Sequence, residues 1–373
     1  MMNAMRWQAF EWKLAVWVLL VVALPAGAQG LPSTLQGCLQ EGGFLFSTEV
    51  DFVTRGPVPP DGNPIVSDGD LLGGGTLDCP VCARNADLLA VFGPMPDLGL
   101  DAVDVVGEGE DTVVYFSTEL DAPPELAPLR AGDLLASNGA VIPNQTLLQR
   151  FSSPLARDLG LDAVHGIGDP RALLAFWTDA SEFARADWLN DPERLLDLLE
   201  TNDVDLWIST EGTAPSPTAP SWLDGDLLSV RTGSIVQRNS DLLPVAVPAG
   251  VPSRGVDFVL DAVTADRSGQ VDSLMISVEI SRLPEPEFGE SDLLGRLLGW
   301  RASGEGLVAC FEPASVPLGL DALSLPVPEP GLAASLTASL GLLAAMGGLA
   351  ARQGARSIRR GPGMAARGGS SSS

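Results

Sequence analysis

The sequence predicts an all-β fold: a β-propeller of about five blades, or four blades with an insertion, closed by the C-terminal strand and followed by a C-terminal transmembrane helix. Three observations predict it. Three phrases recur in fixed order, each has the chemistry of a strand bounded by turns, and the repeat region begins and ends out of phase with its own unit.

The first phrase is an apolar residue followed by Ser-Thr-Glu or a close variant: FSTE at 46–49 and 116–119, ISTE at 208–211, ISVE at 276–279. The second sets Asp-Leu-Leu after a turn, at 68–72, 131–135, 224–228 and 290–294. The third is LGLDAV or a variant, at 98–103, 159–164, 258–263 and 318–323. Its aspartate (Asp101, Asp162, Asp261, Asp321) recurs after 61, 99 and 60 residues, so the long gap predicts a degenerate fifth unit. Within it, LLAFWTDAS at 173–181 reads as a worn copy of VVYFSTELD at 113–121. Residues 187–200 read as a partly helical stand-in for the Asp-Leu-Leu phrases, because Asn-Asp-Pro-Glu suits a helix N-terminus.

TVVYFSTE and SLMISVE are rich in β-branched and aromatic residues, and DGD, GEGED and RSGQ between such runs are turn material. Four short strands in about 60 residues make a unit of propeller-blade size. The region opens inside a unit, at FLFSTEVDF (44–52), and ends on LGLDALSL (318–325), which no Ser-Thr-Glu follows. In a ring that last strand completes the first blade. The 285 residues from 41 to 325 give 57 per unit for five units. With its LDAV and STE strands the repeat also resembles propeller-like units of other bacterial surface proteins, which adds to the same expectation of fold.

Residues 1–28 have the layout of a secretory signal: Arg6 and Lys13, the apolar run Leu14–Leu24, then Pro25 and small residues Ala26 and Ala28 before a cut. Eleven apolar residues are too few to span a bilayer, which takes roughly 20. The 21 residues 331–351 carry no charge and are followed by Arg352, Arg356, Arg359 and Arg360, so they predict a transmembrane helix with the arginines on the cytoplasmic side. Pro328, Glu329 and Pro330, the apolar run and the arginines together resemble the PEP-CTERM sorting tail of Gram-negative bacteria. That resemblance implies an exosortase as partner, a transient anchorage in the inner membrane through the C-terminal helix, and delivery to the cell surface or an extracellular matrix. The chain thus divides into a signal (1–28), a repeat domain (29–326), a sorting segment (327–360) and a disordered tail (361–373), the last longer than such tails usually are.

The chain carries 48 acidic against 22 basic residues, a net charge of −26, and seven of the basic residues lie in the two terminal segments. Such a body repels phosphate backbones and excludes nucleic acid as a partner, while permitting divalent cations. Four cysteines in an exported chain read first as disulfides, Cys79 with Cys82 across a turn and Cys38 with Cys310 across the ends of the repeat. A redox Cys-x-x-Cys and a zinc site are the alternatives. His165 is the one histidine; any Ser-His-Asp site would need it, yet it occupies a slot that the sister phrases fill with Asp104, Thr264 and Ser324, which reads as structural.

The repeated acids are the strongest polar signal. Equivalent positions in a ring gather at one radius, so Glu49, Glu119, Glu211 and Glu279 are candidate ligands for Ca²⁺, the one cofactor the sequence suggests. The competing reading has the repeated acids bonding backbone N–H groups to fix turns. Trp177, Trp188, Trp207, Trp222 and Trp300 suit either a core or stacking on sugars. No residue is marked as catalytic. The expectation is a non-enzymatic binding or structural protein of the cell surface or matrix, with extracellular polysaccharide a possible ligand. The alternative is a hydrolase or lyase acting on such polysaccharide.

Overall fold

The computed structural model describes residues 30–325 apart from 42, 75–79, 152–157, 215–221, 244–256, 281–287 and 296–298. Eighteen short strands lie among them. The first five are β1 (Phe44–Phe46), β2 (Phe52–Val53), β3 (Ile65–Val66), β4 (Leu71–Gly74) and β5 (Val81–Ala83). Next come β6 (Val103–Val106), β7 (Val113–Phe116), β8 (Leu134–Ala136) and β9 (Val141–Ile142), then β10 (Val164–Ile167), β11 (Asp205–Ile208), β12 (Leu227–Ser229) and β13 (Ser234–Gln237). The last are β14 (Leu260–Thr264), β15 (Met275–Val278), β16 (Leu293–Gly295), β17 (Gly299–Ala302) and β18 (Leu323–Ser324). They form four antiparallel sheets of four strands: sheet I in the order β18-β1-β4-β5, sheet II β6 to β9, sheet III β10 to β13, sheet IV β14 to β17; β2 and β3 make a separate ribbon.

Each repeated phrase has a fixed place in its sheet. LDAV gives the first strand, the run into Ser-Thr-Glu the second, and Asp-Leu-Leu the third. The first strands β18, β6, β10 and β14 neighbour one another in cyclic order. Strand residues are buried on both faces because alternate side chains enter different cores: Leu45 packs toward sheet II, Phe44 and Phe46 toward sheet IV. The serine of Ser-Thr-Glu joins consecutive sheets. Ser47, Ser117, Ser209 and Ser277, all fully buried, donate to the carbonyls of Leu100, Leu161, Leu260 and Leu320 at 2.9, 2.9, 3.0 and 2.9 Å.

The expected fold class is corrected by these observations. The structure is a mixed assembly of several small antiparallel sheets and helices, not an all-β closed propeller of about five blades. The expected fifth unit is no sheet: β10 pairs directly with β11, His165 opposite Trp207, and the residues between them form helices. After α1 (Ser33–Glu41), these are α2 (Pro170–Ala180), α3 (Arg185–Asn190) and α4 (Glu193–Thr201). Asp169 caps α2 by accepting from the Arg171 N–H at 2.9 Å, with Pro170 in the first turn. Leu173, Phe176, Trp177 and Ala180 then line one buried face, a 3.6-residue period that outweighs the strand-like composition of LLAFWT. The helical reading of 187–200 is the one that forms.

Among the described residues no helix is long and apolar enough to cross a membrane. Segment 331–351 lies outside them, as do Ala26, Ala28, Pro328, Glu329, Pro330, Arg352 and Cys79. The cysteine pairing is also corrected. Cys38 bonds Cys82, joining α1 to β5, so neither Cys79–Cys82 nor Cys38–Cys310 forms; Cys310 is itself disulfide-bonded. Proximity in sequence favoured the Cys-x-x-Cys pair, but α1 packs on β5, where the Thr34 hydroxyl also donates to the Cys82 carbonyl at 2.8 Å.

Candidate functional site

The cyclic arrangement of sheets brings two acidic residues of every unit to one place. Glu49, Glu119, Glu211 and Glu279 line a cavity of about 560 Å³ together with Asp101, Asp162, Asp261 and Asp321. The four glutamates that the sequence proposed as ligands are therefore gathered, and four aspartates join them.

The local cause is the same in three of the four units, since the fourth has Val278 in place of the threonine. The buried serine fixes the end of the second strand, and Thr48, Thr118 and Thr210 turn the chain by donating to the carbonyls of Val50, Leu120 and Gly212 at 3.2, 3.0 and 2.9 Å. The glutamate between them then lies against the lead-in to a first strand. At Gly99, Gly160 and Gly319 that lead-in has φ of +74°, +71° and +71°, and a Cβ would stand 2.7, 2.3 and 2.2 Å from the carboxyl carbons of Glu119, Glu211 and Glu49. Glycine is needed there for both conformation and space. The fourth unit breaks the pattern with Val259, a β-branched residue at φ 57°.

Crowding of like charges sets the electrostatics. Burial, then repulsion from Glu290, Glu279 and Glu119, raises Glu49 to about 7. Burial and the acids around it likewise raise Glu119 to about 7. Glu211 and Glu279 shift upward for the same reasons, burial first. Asp101, Asp162, Asp261 and Asp321 are pushed well above the carboxylate range by burial and then by neighbouring carboxylates. Three buried oxygens, Oδ2 of Asp101, Asp162 and Asp321, have no hydrogen-bond partner. Oxygens of Asp101, Asp162 and Glu211 lie within 4.8 Å of one another. The cavity therefore offers hard carboxyl oxygens, and among the described residues no nitrogen or sulfur ligand lines it.

The Asp-Leu-Leu aspartates do the turn-fixing work. Asp70 accepts from the N–H groups of Ser67 and Asn85 at 3.0 and 3.2 Å, Asp226 from Leu223 and Asn239 at 3.1 and 3.2 Å, Asp133 from Arg130 at 2.9 Å, and Asp292 from Gly289 at 2.8 Å. Sequence reasoning offered the two readings as competitors for all the acids. Turn fixation holds for the Asp-Leu-Leu aspartates, and the mouth carboxyls form a separate set.

The slot after LDAV forms a polar layer of its own. Asp104 is fully buried and receives Arg267 in two bonds of 2.8 and 3.0 Å, the Gly166 N–H at 2.9 Å, the Ser324 hydroxyl at 2.8 Å and the Tyr115 hydroxyl. Burial alone would raise its carboxyl, but Arg267 and His165 hold it far below the usual range. His165 Nδ1 lies 3.1 Å from Asp104. Because Ser324 donates to Asp104, these residues do not form a Ser-His-Asp relay, in which the serine would face the histidine. Sequence reasoning saw this slot as variable and missed Arg267 and Tyr115, which no repeat marks.

Trp177, Trp188 and Trp222 are fully enclosed and Trp207 is 6% exposed, so these four are core residues and offer no face for sugar stacking. The Trp300 side chain lies outside the described residues. Compared with models of protein families, with curated proteins and with solved structures, the chain has no match.

Proposed function

We propose that this protein is an exported, non-enzymatic binding module of the cell surface or extracellular matrix, delivered through its PEP-CTERM-like tail, and that it works through the eight-carboxylate mouth. The observation that carries this reading is the convergence of one aspartate and one glutamate from each of four sheets on one cavity. Eight carboxyl groups in one place repel one another when ionised and lose hydration, so without a cationic ligand they either hold protons or weaken the fold. Turn fixation does not account for these residues, since three of their buried oxygens bond nothing. The acidic body around the mouth draws cations toward it.

The test is retention of the full-length protein, washed free of metal, on matrix material isolated from the producing cells. Wild type should be retained, less so as salt rises, and E49Q/E119Q/E211Q/E279Q should wash off. Equal retention of that variant would remove the mouth from the reading. Release of reducing sugars by the wild type would replace it with the hydrolase alternative.

A further inference from the structure

The mouth has a four-fold repeat in its sequence but not in its geometry, and the difference singles out one niche. The repeat generates four niches, each made of the aspartate of one sheet with the aspartate and glutamate of the next. Among the described residues, the niche of Asp101, Asp162 and Glu211 is the one whose carboxyl oxygens lie within 4.8 Å of one another.

We infer that Asp101, Asp162 and Glu211 bind one hard divalent cation of the calcium type, with water completing its shell. The inference rests on the mouth being the working site. The cluster alone would not carry it; the second observation is that Oδ2 of Asp101 and of Asp162 are enclosed without a partner, in residues only 6% and 3% exposed. The charges that act on both are other carboxylates, so no arginine compensates them. Ca²⁺ takes six to eight oxygens at about 2.3–2.6 Å, which places any two ligand oxygens within roughly 5 Å, as found here. Among the described residues the lining has no imidazole or thiolate, which disfavours Zn²⁺. Mg²⁺ holds its waters and gains less from an all-protein cage.

Calorimetric titration of CaCl₂ into the metal-free full-length protein tests this. One ion per chain is expected, with D162N and E211Q each weakening it by about tenfold or more and E279Q by less than about threefold. Melting curves recorded on each variant without metal separate lost binding from lost folding. No binding of Ca²⁺ by the wild type, equal losses in E211Q and E279Q, or equal affinity for Mg²⁺ would overturn the inference. A protein that binds Ca²⁺ as stated yet does not adhere to matrix would keep the ion site and lose the proposed function, so the two failures are distinguishable.

Discussion

The hydroxyl of Ser277 donates to the carbonyl of Leu320 at 2.9 Å and so joins sheet IV to the lead-in of β18 in sheet I, 43 residues further along the chain. The same bond links every other consecutive pair of sheets. Ser277→Ala should leave the Leu320 carbonyl buried and unpaired, at a cost of about 1–3 kcal/mol. Thermal unfolding of S277A and S117A would read this as a lowered melting temperature of similar size in both. A shift in neither would mean that these serine bonds contribute nothing net to joining the sheets.

These serines show how much of the architecture could be read from the chain. Ser-Thr-Glu recurs because its three residues act separately, the serine in an inter-sheet bond, the threonine in a turn and the glutamate at the mouth. The repeat therefore exposed both the sheets and the acids. It failed where local composition and tertiary packing diverge. LLAFWT reads as a strand, yet Leu173, Phe176 and Trp177 are spaced to bury one helical face. Arg267 was invisible because it comes from a single β14–β15 connection and crosses to Asp104, 163 residues away. The partner of Cys38 depended on where α1 docks, which no local pattern encodes.

Val259 and Gly160 occupy the same place in different units and should respond in opposite ways. Val259 holds φ 57°, where a β-branched side chain is strained, so Val259→Gly should leave stability unchanged or raise it by about 1 kcal/mol. Gly160→Ala would put a Cβ 2.3 Å from the Glu211 carboxyl at φ +71° and should destabilise by more than that gain, while displacing a mouth carboxylate. Denaturant midpoints of the two variants compare them directly. A destabilised V259G would show that valine contacts outweigh the backbone strain.

Arg267 neutralises Asp104 inside the molecule, and neither is accessible to solvent screening. Arg267→Met should cost about 3–5 kcal/mol because it strands a buried carboxylate, whereas D104N/R267M should recover part of the loss. Urea unfolding of both single variants and the double variant gives the coupling. Strict additivity would show that the two side chains act independently despite their two bonds.

Protonation of the mouth gives the protein an unusual dependence on pH. Glu49 and Glu119 ordinarily titrate near 4.5 and are raised to about 7 in the fold, mainly by burial. Between those values the folded state holds protons that the unfolded chain has released, so stability falls as pH rises through that window. In chelator, the melting temperature should be highest near pH 5 and lower at pH 8, the reverse of a protein held by salt-bridged carboxylates. E49Q/E119Q should flatten the profile, because an amide has no proton to lose. Ca²⁺ should restore stability at pH 8 and do less at pH 5, since the ion competes with protons for the same oxygens. A melting temperature that rises from pH 5 to pH 8 in chelator would mean that the mouth carboxylates are solvated and titrate as ordinary surface acids.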